Sequence, residues 1–216
     1  MEAKLNKNLK YPGLAVILSS PSGTGKTTIC RYLLSRHRNY RFSVSATTRP
    51  PRGKERDKFD YHFVSDKKFD SMLRNKEFAE WAGVFGYRYG TPFSEIRRSI
   101  ARNTVLLCDV DVQGGMNLKR SYKEAVTIFI VPPSLTELRR RLFKRRTDSR
   151  AQMRLRLKTA VWEMEFWRKY DYIVINDNLK VAVDEVDKII AAERAKTFRR
   201  NERRFWKASQ AKLLGL

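Results

Sequence analysis

LAVILSSPSGTGKT, residues 14–27, carries the strongest indication of the fold. Its first half is almost entirely apolar, which is typical of a strand buried on both faces of a parallel sheet. Its second half nearly matches G-x-x-x-x-G-K-[ST], a loop whose backbone N–H groups surround a phosphate where a helix begins. Ser20 stands where that pattern has its first glycine. The stretch therefore predicts a strand, a phosphate-binding loop and a helix in succession.

The phosphate loop has specific chemistry. Gly23 and Gly25 allow the backbone to approach an anion closely because they have no Cβ. The helix N-terminus adds partial positive charge. Lys26 is expected to reach the β- and γ-phosphates of a nucleoside triphosphate, and the hydroxyl of Thr27 is the expected Mg²⁺ ligand. The predicted ATP-binding residues here are Ser20, Pro21, Ser22, Gly23, Thr24, Gly25, Lys26, Thr27 and Thr28.

Three further apolar runs follow at 105–110, 126–131 and 172–175, and helical stretches lie between them. Strands that alternate with helices imply βαβ units and a parallel sheet with helices on both faces. The predicted fold class is therefore α/β, with the three-layer core of P-loop nucleoside triphosphatases. The interval 41–91 breaks this rhythm, because it is rich in aromatic and β-branched residues with polar turns. It predicts a small, mostly β lobe inserted after the first helix.

The whole chain is expected to form one domain of this kind. A polar and highly basic segment between two helical stretches predicts a mobile, arginine-rich lid, and the basic end of the chain predicts a helical tail. The expected parts of the domain 1–216 are a core at 12–44 and 92–197, an inserted lobe at 45–91, a lid at 145–152 and a C-terminal tail at 198–216.

Composition argues against several classes of protein. The sequence contains no run of eighteen apolar residues, so no membrane span is predicted. Its two cysteines are too few for a disulfide framework or a four-thiolate metal site. These features favour a reducing, cytoplasmic location. The formal net charge of +23 favours anionic partners such as nucleotides or nucleic acid. A surface that is basic in general explains the same charge, and the sequence does not decide between the two.

Five short segments after the phosphate loop indicate which kind of nucleotide-binding protein this is. They read SATTRPPR at 45–52, DYHF at 60–63, EFAEW at 77–81, YGT at 89–91 and DVDVQG at 109–114. In order and spacing they resemble the guanylate kinase family, and the resemblance runs from about Leu14 to Lys188. It implies an enzyme that transfers the γ-phosphoryl group of ATP to GMP, giving ADP and GDP, in purine nucleotide metabolism and GMP recycling.

The chemistry of these segments agrees with the resemblance. Arg49 and Arg52 can grip a phosphate monoester with their forked donors. Guanine has donors at N1 and N2 and an acceptor at O6, so a site that reads it needs carboxylate acceptors beside a hydroxyl donor. Glu80 and Asp111 supply the carboxylates, and Thr91 supplies the hydroxyl. Adenine would leave these groups unpaired. The GMP-binding residues that the resemblance implies are Ser45, Arg49, Arg52, Tyr61, Glu80, Tyr89, Gly90, Thr91 and Asp111.

The segment 139–149 resembles the ATP lid of the family and the helix before it. The arginines that the family uses on the donor side correspond to Arg141, Arg145 and Arg156. Asn176, after the last apolar run, corresponds to an adenine-side contact. The resemblance therefore implies a donor site completed by groups far from the phosphate loop in the sequence.

Magnesium that arrives with ATP is the implied cofactor. Thr27 is its expected direct ligand, and Asp109 or Asp111 is expected to act through waters, since magnesium keeps several of its waters. Thr27 and Asp109 are the predicted metal residues. The predicted catalytic residues, which supply positive charge to the phosphoryl groups, are Lys26, Arg49, Arg141, Arg145 and Arg156.

Three other interpretations stay open at this stage. A related kinase acting on ribose phosphates would keep the phosphate loop but lack Glu80, Thr91 and Asp111. A non-catalytic guanylate-kinase-like module that binds phosphopeptides generally lacks the lysine found here as Lys26. A nucleic-acid-binding protein is suggested by charge alone. We therefore expect ATP and GMP as partners, with neither a membrane nor nucleic acid, and a homodimer stays open.

Overall fold

The computed structural model of the protein describes residues 13–84, 86–143 and 150–199. Its strands are β1 Leu14–Ser19, β2 Tyr40–Phe42, β3 Ala46–Thr47, β4 His62–Phe63, β5 Phe78–Val84, β6 Tyr87–Pro92, β7 Val105–Asp109, β8 Val126–Val131 and β9 Tyr172–Ile175. Its helices are α1 Lys26–Arg36, α2 Asp66–Arg74, α3 Phe93–Ala101, α4 Val112–Ser121, α5 Leu135–Phe143, α6 Arg150–Met164 and α7 Leu179–Ala195, and short 3-10 turns span Glu165–Lys169 and Thr197–Arg199.

The central sheet is parallel throughout, in the order β2-β7-β1-β8-β9. The four apolar runs of the sequence form β1, β7, β8 and β9, so the predicted α/β fold with a parallel sheet is confirmed. β1 is buried at every residue because it lies in the middle of the sheet with both faces covered. β2 was not predicted, because its three residues are too few to give a recognisable strand pattern.

Helices cover both faces of this sheet. α1 and α7 pack on one face, where Ile29, Leu33 and Val186 join the side chains of the strands. α3 and α4 cover the other face through Ile96 and Leu118. Burial of each such side chain contributes roughly 1.5–3 kcal/mol, so these two clusters hold the three layers together.

A second, smaller sheet has the order β4-β3-β6-β5. β5 and β6 are antiparallel, and their register places Glu80 opposite Thr91. α2 begins after Ser65, whose hydroxyl accepts a hydrogen bond from the N–H of Lys68, and Phe69 of this helix is buried against the sheet. We propose that this sheet and α2 form the inserted lobe, residues 45–91. Residues 12–44 and 92–197 would then form the core.

The loops after β1 and β7 lie side by side, because these strands are parallel neighbours and their carboxyl ends meet at one edge of the sheet. Open α/β sheets bind ligands at this edge. α5 and α6 flank residues 144–149, so most of the predicted lid at 145–152, like most of the tail at 198–216, lies outside the described residues. Within the described ranges, no helix has both the length and the hydropathy needed to cross a bilayer.

Candidate active site

The phosphate loop turns from β1 into α1 through two glycines with positive φ. Gly23 has φ 91°, and Gly25, which precedes the first residue of α1, has φ 94°. This left-handed region strains any residue that has a Cβ. A Cβ at Gly25 would also lie 2.6 Å from Nδ2 of Asn176. Ser20, which replaces the first glycine of the pattern, is buried, and its hydroxyl donates to the carbonyl of Pro21 at 3.1 Å.

Lys26 and Thr27 open α1, and both contact Asp109 at the end of β7. Nζ of Lys26 lies 2.8 Å from Oδ1 of Asp109 and donates to the carbonyl of Val110 at 2.5 Å. The hydroxyl of Thr27 donates to Oδ2 of Asp109 at 2.8 Å. A phosphate that enters the loop must therefore compete with Asp109 for the ammonium group of Lys26.

Thr27 and Asp109 also form a pair of oxygen ligands beside the loop. Hydroxyl and carboxylate oxygens are hard donors of the kind that magnesium prefers. Magnesium usually takes one or two protein ligands and keeps several waters beside a phosphate. The donor set at this position therefore fits a magnesium ion that arrives with a nucleotide.

Asn176 supports the phosphate loop from the end of β9. Its side chain is buried, and Nδ2 donates to the carbonyl of Thr24 at 2.6 Å. The carbonyl of Asn176 accepts a hydrogen bond from Nη1 of Arg141 at 2.9 Å. The amide that was predicted to contact adenine is thus engaged with the loop itself, and it ties Arg141 of α5 to the same place.

The three arginines predicted for the donor side lie on or between α5 and α6. Arg141 is half-buried, and its Nε donates to Glu137 at 2.7 Å, one turn earlier in α5. Arg156 is half-buried on α6. Arg145 lies outside the described residues. Arg141 is thus connected with the phosphate loop through Asn176.

Arg49 is held firmly in the second sheet. It is 4% exposed, its Nε donates to the hydroxyl of Tyr89 at 3.1 Å, and its guanidinium carbon lies 5.4 Å from the ring centre of Tyr61. Nη2 donates to Glu55 at 2.9 Å, and Arg49 holds the pKa of that carboxyl below its usual value. Glu55 also accepts the backbone N–H of Arg52 at 2.7 Å. Glu55 was not among the predicted site residues, although its place three residues after an arginine in a polar turn is typical of such a contact.

Ser45, Arg52 and Gly90 are further residues predicted for the acceptor site. Ser45 is half-buried, and its carbonyl accepts the backbone N–H of His62 at 2.9 Å. The side chain of Arg52 is exposed. Gly90 pairs with the second sheet, and a Cβ there would lie 2.7 Å from the ring of Phe78. Gly90 therefore has a packing role, whereas Arg52 is directed to solvent.

Glu80 and Asp111, the predicted guanine readers, approach each other from different sheets. Glu80 is 9% exposed, and burial, with a smaller effect of the charge on Asp111, raises its pKa to about 7. Thr91 donates its hydroxyl hydrogen to Oε1 of Glu80 at 2.7 Å. Asp111 caps α4 by accepting the N–H of Gly114 at 2.6 Å. A Cβ on Gly114 would lie 3.2 Å from both carboxylates, so a small residue is required between them.

Thr91 differs in one respect from the expectation. Its hydroxyl is predicted to donate to guanine, but the cross-strand register opposite Glu80 directs that hydrogen to the carboxylate. A hydroxyl has one hydrogen to donate. Thr91 therefore fixes the orientation of Glu80 in this structure.

Glu163 is a further acidic residue beside the phosphate loop. It lies near the C-terminal end of α6. Burial raises its pKa, and the main chain of Ser22 lies close enough to offset part of that rise. Glu163 was not among the predicted site residues, because nothing in the helical pattern of α6 marks this position.

The segment Asp109–Asp111 joins the two halves of the site. Asp109 holds Lys26 and Thr27 of the phosphate loop, and Asp111 lies close enough to Glu80 to raise its pKa. A triphosphate-binding loop thus lies at the carboxyl edge of a parallel sheet, beside a polar cluster formed by the buried Glu80 and Thr91 and the exposed Asp111. This arrangement defines a P-loop kinase for a small acceptor molecule.

Comparison with known proteins narrows this class. Residues 13–193 match the family model described as Guanylate kinase. The guanylate kinase of Myxococcus xanthus is 46% identical over 186 residues, which cover 86% of this chain and 89% of the relative. That of Thermotoga maritima is 41% identical over 191 residues, with coverage of 88% and 92%. The crystal structure of guanylate kinase from Anaplasma phagocytophilum aligns with a TM-score of 0.73 at 34% identity and covers 91% of this chain and 94% of that one. This chain belongs to the guanylate kinase family.

Proposed function

We propose that this protein transfers the γ-phosphoryl group of ATP to GMP and releases ADP and GDP. The observation that carries the proposal is the segment Asp109–Asp111, which contacts the phosphate loop at one end and faces Glu80 at the other. Membership of the guanylate kinase family supports the same reaction. A donor triphosphate and an acceptor purine nucleotide would meet at this one segment.

On the donor side, the amides of the loop at 20–28 and the ammonium group of Lys26 bind the β- and γ-phosphates. Lys26 exchanges Asp109 for the phosphates when the nucleotide enters. Thr27 and Asp109 would hold magnesium, Thr27 directly and Asp109 through water. Magnesium bound there neutralises charge on the β- and γ-phosphates. Asn176 contributes by fixing the loop.

On the acceptor side, Arg49 binds the phosphate of GMP. A guanidinium group has five N–H donors, and three of those in Arg49 are engaged with Tyr89, Pro50 and Glu55. Two N–H groups of Arg49 therefore remain for the acceptor phosphate, and their forked arrangement suits its oxygens. Ser45, Arg52 and the hydroxyl of Tyr61 complete this part of the proposed site.

The base is read by Glu80 and Asp111. The ionised carboxylates accept hydrogen bonds from N1–H and N2–H of guanine, and Thr91 keeps Glu80 in the required orientation. Adenine has no N2 donor, and it would leave at least one of the two carboxylates without a partner. Sites built on such hydrogen bonds reject the wrong molecule by about 10⁴-fold or more.

The transfer itself needs alignment and positive charge more than a base. The attacking phosphate oxygen of GMP is already ionised near neutral pH, so no side chain has to remove a proton from it. Catalysis then comes from positioning and from neutralising the charge on the moving phosphoryl group. Lys26, Arg49, Arg141, Arg145 and Arg156 are the residues that we propose for this role.

The reaction fits a place in cytoplasmic purine nucleotide metabolism, with ATP and GMP as small-molecule substrates. Neither a membrane nor nucleic acid is part of the proposal. The chemistry is that of GMP recycling, since the product GDP is one phosphorylation short of GTP.

The test is an assay of the purified protein with ATP and Mg²⁺, with GMP, AMP, CMP and UMP offered separately. We expect turnover with GMP and a rate at least about 10³-fold lower with AMP. Lys26→Ala, prepared in parallel, controls for contaminating kinases and should lose nearly all turnover. Equal turnover with all four acceptors, or normal turnover of the Lys26→Ala protein, would contradict the proposal.

A further inference from the structure

Two hydroxyl groups hold the main chain where α4 begins. Oγ of Ser19, the last residue of β1, donates to the carbonyl of Asp111 at 3.2 Å. The hydroxyl of Tyr170, two residues before β9, donates to the carbonyl of Val112 at 3.2 Å. The proposed reaction gives neither hydroxyl a role. Two successive carbonyls at the start of the helix are therefore held by side chains from other parts of the fold.

The close approach of these hydroxyls to α4 depends on a glycine. A Cβ on Gly115 would overlap with Oγ of Ser19 and would lie 2.6 Å from the hydroxyl oxygen of Tyr170. The preceding residue, Gly114, faces the carboxylates of the two guanine readers. The first turn of α4 is thus packed between the two hydroxyls and the carboxylates that read the base.

Both hydroxyls come from well-anchored parts of the protein. Ser19 is fully buried in the central strand of the parallel sheet. The ring of Tyr170 packs on Phe129, with 4.9 Å between ring centres, and the next residue, Asp171, accepts the backbone N–H of Thr127 at 2.9 Å. Burial raises the pKa of Tyr170 to about 12, so its hydroxyl keeps the hydrogen that it donates at neutral pH.

Asp111 needs such anchoring because its own side chain is exposed. Its carboxylate accepts the N–H of Gly114 at 2.6 Å, so the carboxylate has its place only relative to the first turn of α4. A group that reads a substrate must be held within about 0.5 Å of its productive position. The position of this turn therefore decides where the carboxylate meets the base.

We propose that Ser19 and Tyr170 are positioning residues for the acceptor base: by holding the carbonyls of Asp111 and Val112, they place the carboxylate of Asp111 where guanine is read. The proposal rests on the proposed function in one respect, namely that Asp111 contacts the base. Neither hydroxyl contacts this carboxylate, so both act through the main chain of α4.

Three variants test the two hydroxyls. Tyr170→Phe and Ser19→Ala each remove one hydroxyl oxygen and leave the rest of the side chain in place. Tyr122→Phe is the matched control, because Tyr122 directly follows the last residue of α4 and its hydroxyl donates to Glu124 at 3.4 Å. It therefore removes the same group at the other end of the same helix.

The first measurement is the KM for each substrate at saturating concentration of the other. We expect Tyr170→Phe and Ser19→Ala each to raise the KM for GMP about threefold to tenfold, and the KM for ATP by less than about twofold. Tyr122→Phe should change neither. An unchanged KM for GMP in both test variants, or an equal rise of both KM values, would overturn the proposal.

The second measurement is a double-mutant cycle with Asp111→Asn, which keeps a capping side chain but replaces one carboxylate oxygen. The initial slope at low GMP gives kcat/KM even where GMP binds weakly. If Tyr170 acts through Asp111, Tyr170→Phe should lower kcat/KM by less than about twofold in the Asp111→Asn protein. The same loss in both backgrounds would show that Tyr170 acts independently of Asp111, and it would overturn the proposal.

Amide exchange of α4 reports on the hydroxyls without any substrate. Peptides that cover residues 110–122 should exchange at least about threefold faster in Tyr170→Phe and Ser19→Ala than in the original protein. Faster exchange with an unchanged KM for GMP would assign both hydroxyls to the fold alone. Turnover of GMP by the original protein in the same assay reports separately on the proposed function.

Discussion

The raised pKa of Glu80 predicts that recognition of GMP weakens sharply below neutral pH. Burial brings this pKa to about 7, and Thr91 and Asp111 are its nearest polar partners. The ionised carboxylate can accept both guanine donors, whereas the protonated group loses one acceptor. Lowering the pH from 8 to 6 therefore converts most of the protein from the form that binds GMP to the form that does not.

The size of the effect follows from this pKa. If only the ionised form binds, the apparent KM for GMP rises by the factor 1 + 10^(pKa − pH), which is about 1.1 at pH 8 and about 11 at pH 6. The structure therefore predicts an increase of about tenfold. The phosphate of GMP has a pKa near 6 and adds about twofold at pH 6. The KM for ATP should change far less, since Glu80 lies on the acceptor side.

The assay is chromatographic measurement of ADP at saturating ATP over pH 6–8, which avoids coupling enzymes with their own pH dependence. Glu80→Gln is the control. It resembles the protonated form, so its KM for GMP should be high and should vary only by the factor of about two that comes from the phosphate. If the KM for GMP of the original protein stays constant or decreases as the pH is lowered from 7 to 6, ionisation of Glu80 does not control GMP binding.

The raised pKa of Glu80 also makes the stability of the folded state depend on pH. The pKa of Glu80 is higher in the folded than in the unfolded state, so between about pH 4.5 and 7 the folded state holds the extra proton and stability falls as pH rises. Above pH 7, ionised Glu80 lowers the stability of the folded state by its full amount, at most about 3 kcal/mol. Glu80→Gln should therefore raise the unfolding temperature at pH 8, although it weakens GMP binding.

Three further outcomes can be checked directly. Gly25→Ala should raise the KM for ATP at least about tenfold, because its positive φ and the nearby amide of Asn176 leave no room for a Cβ. Glu55→Gln should weaken the ion pair with Arg49 and raise the KM for GMP about threefold to tenfold, with the KM for ATP as the internal control. Burial raises the pKa of both cysteine thiols, so iodoacetamide at pH 7.5 should label neither in the native protein and both in urea, as mass spectrometry would show.

The core of the fold could be predicted from the sequence because its signals are local. A continuous apolar run followed by a glycine-rich loop marks β1 and α1, and three similar runs mark β7, β8 and β9 of the same sheet. β2 could not be predicted in this way, since Tyr40–Phe42 becomes a strand only by pairing with β7. The bounds of the lobe and lid remain predictions.

The site was predictable to the extent that its residues form a recognisable order in the sequence. Glu55 was not predicted because its role depends on Arg49, a partner that the fold brings to it across a turn. The orientation of Thr91 escaped for a related reason. Its hydrogen follows the register of two strands, which no single-residue signal reveals.

The acceptor pocket is assembled from two pieces that differ in how freely they can be redesigned. Glu80 and Thr91 form a cross-strand pair in the smaller sheet, so both can be exchanged together as one cassette without touching the parallel sheet. Asp111 also caps α4, a role that asparagine, serine and threonine can fill and most other residues cannot. An engineer who wants a different base should therefore vary β5 and β6 widely and restrict position 111 to Asp, Asn, Ser and Thr.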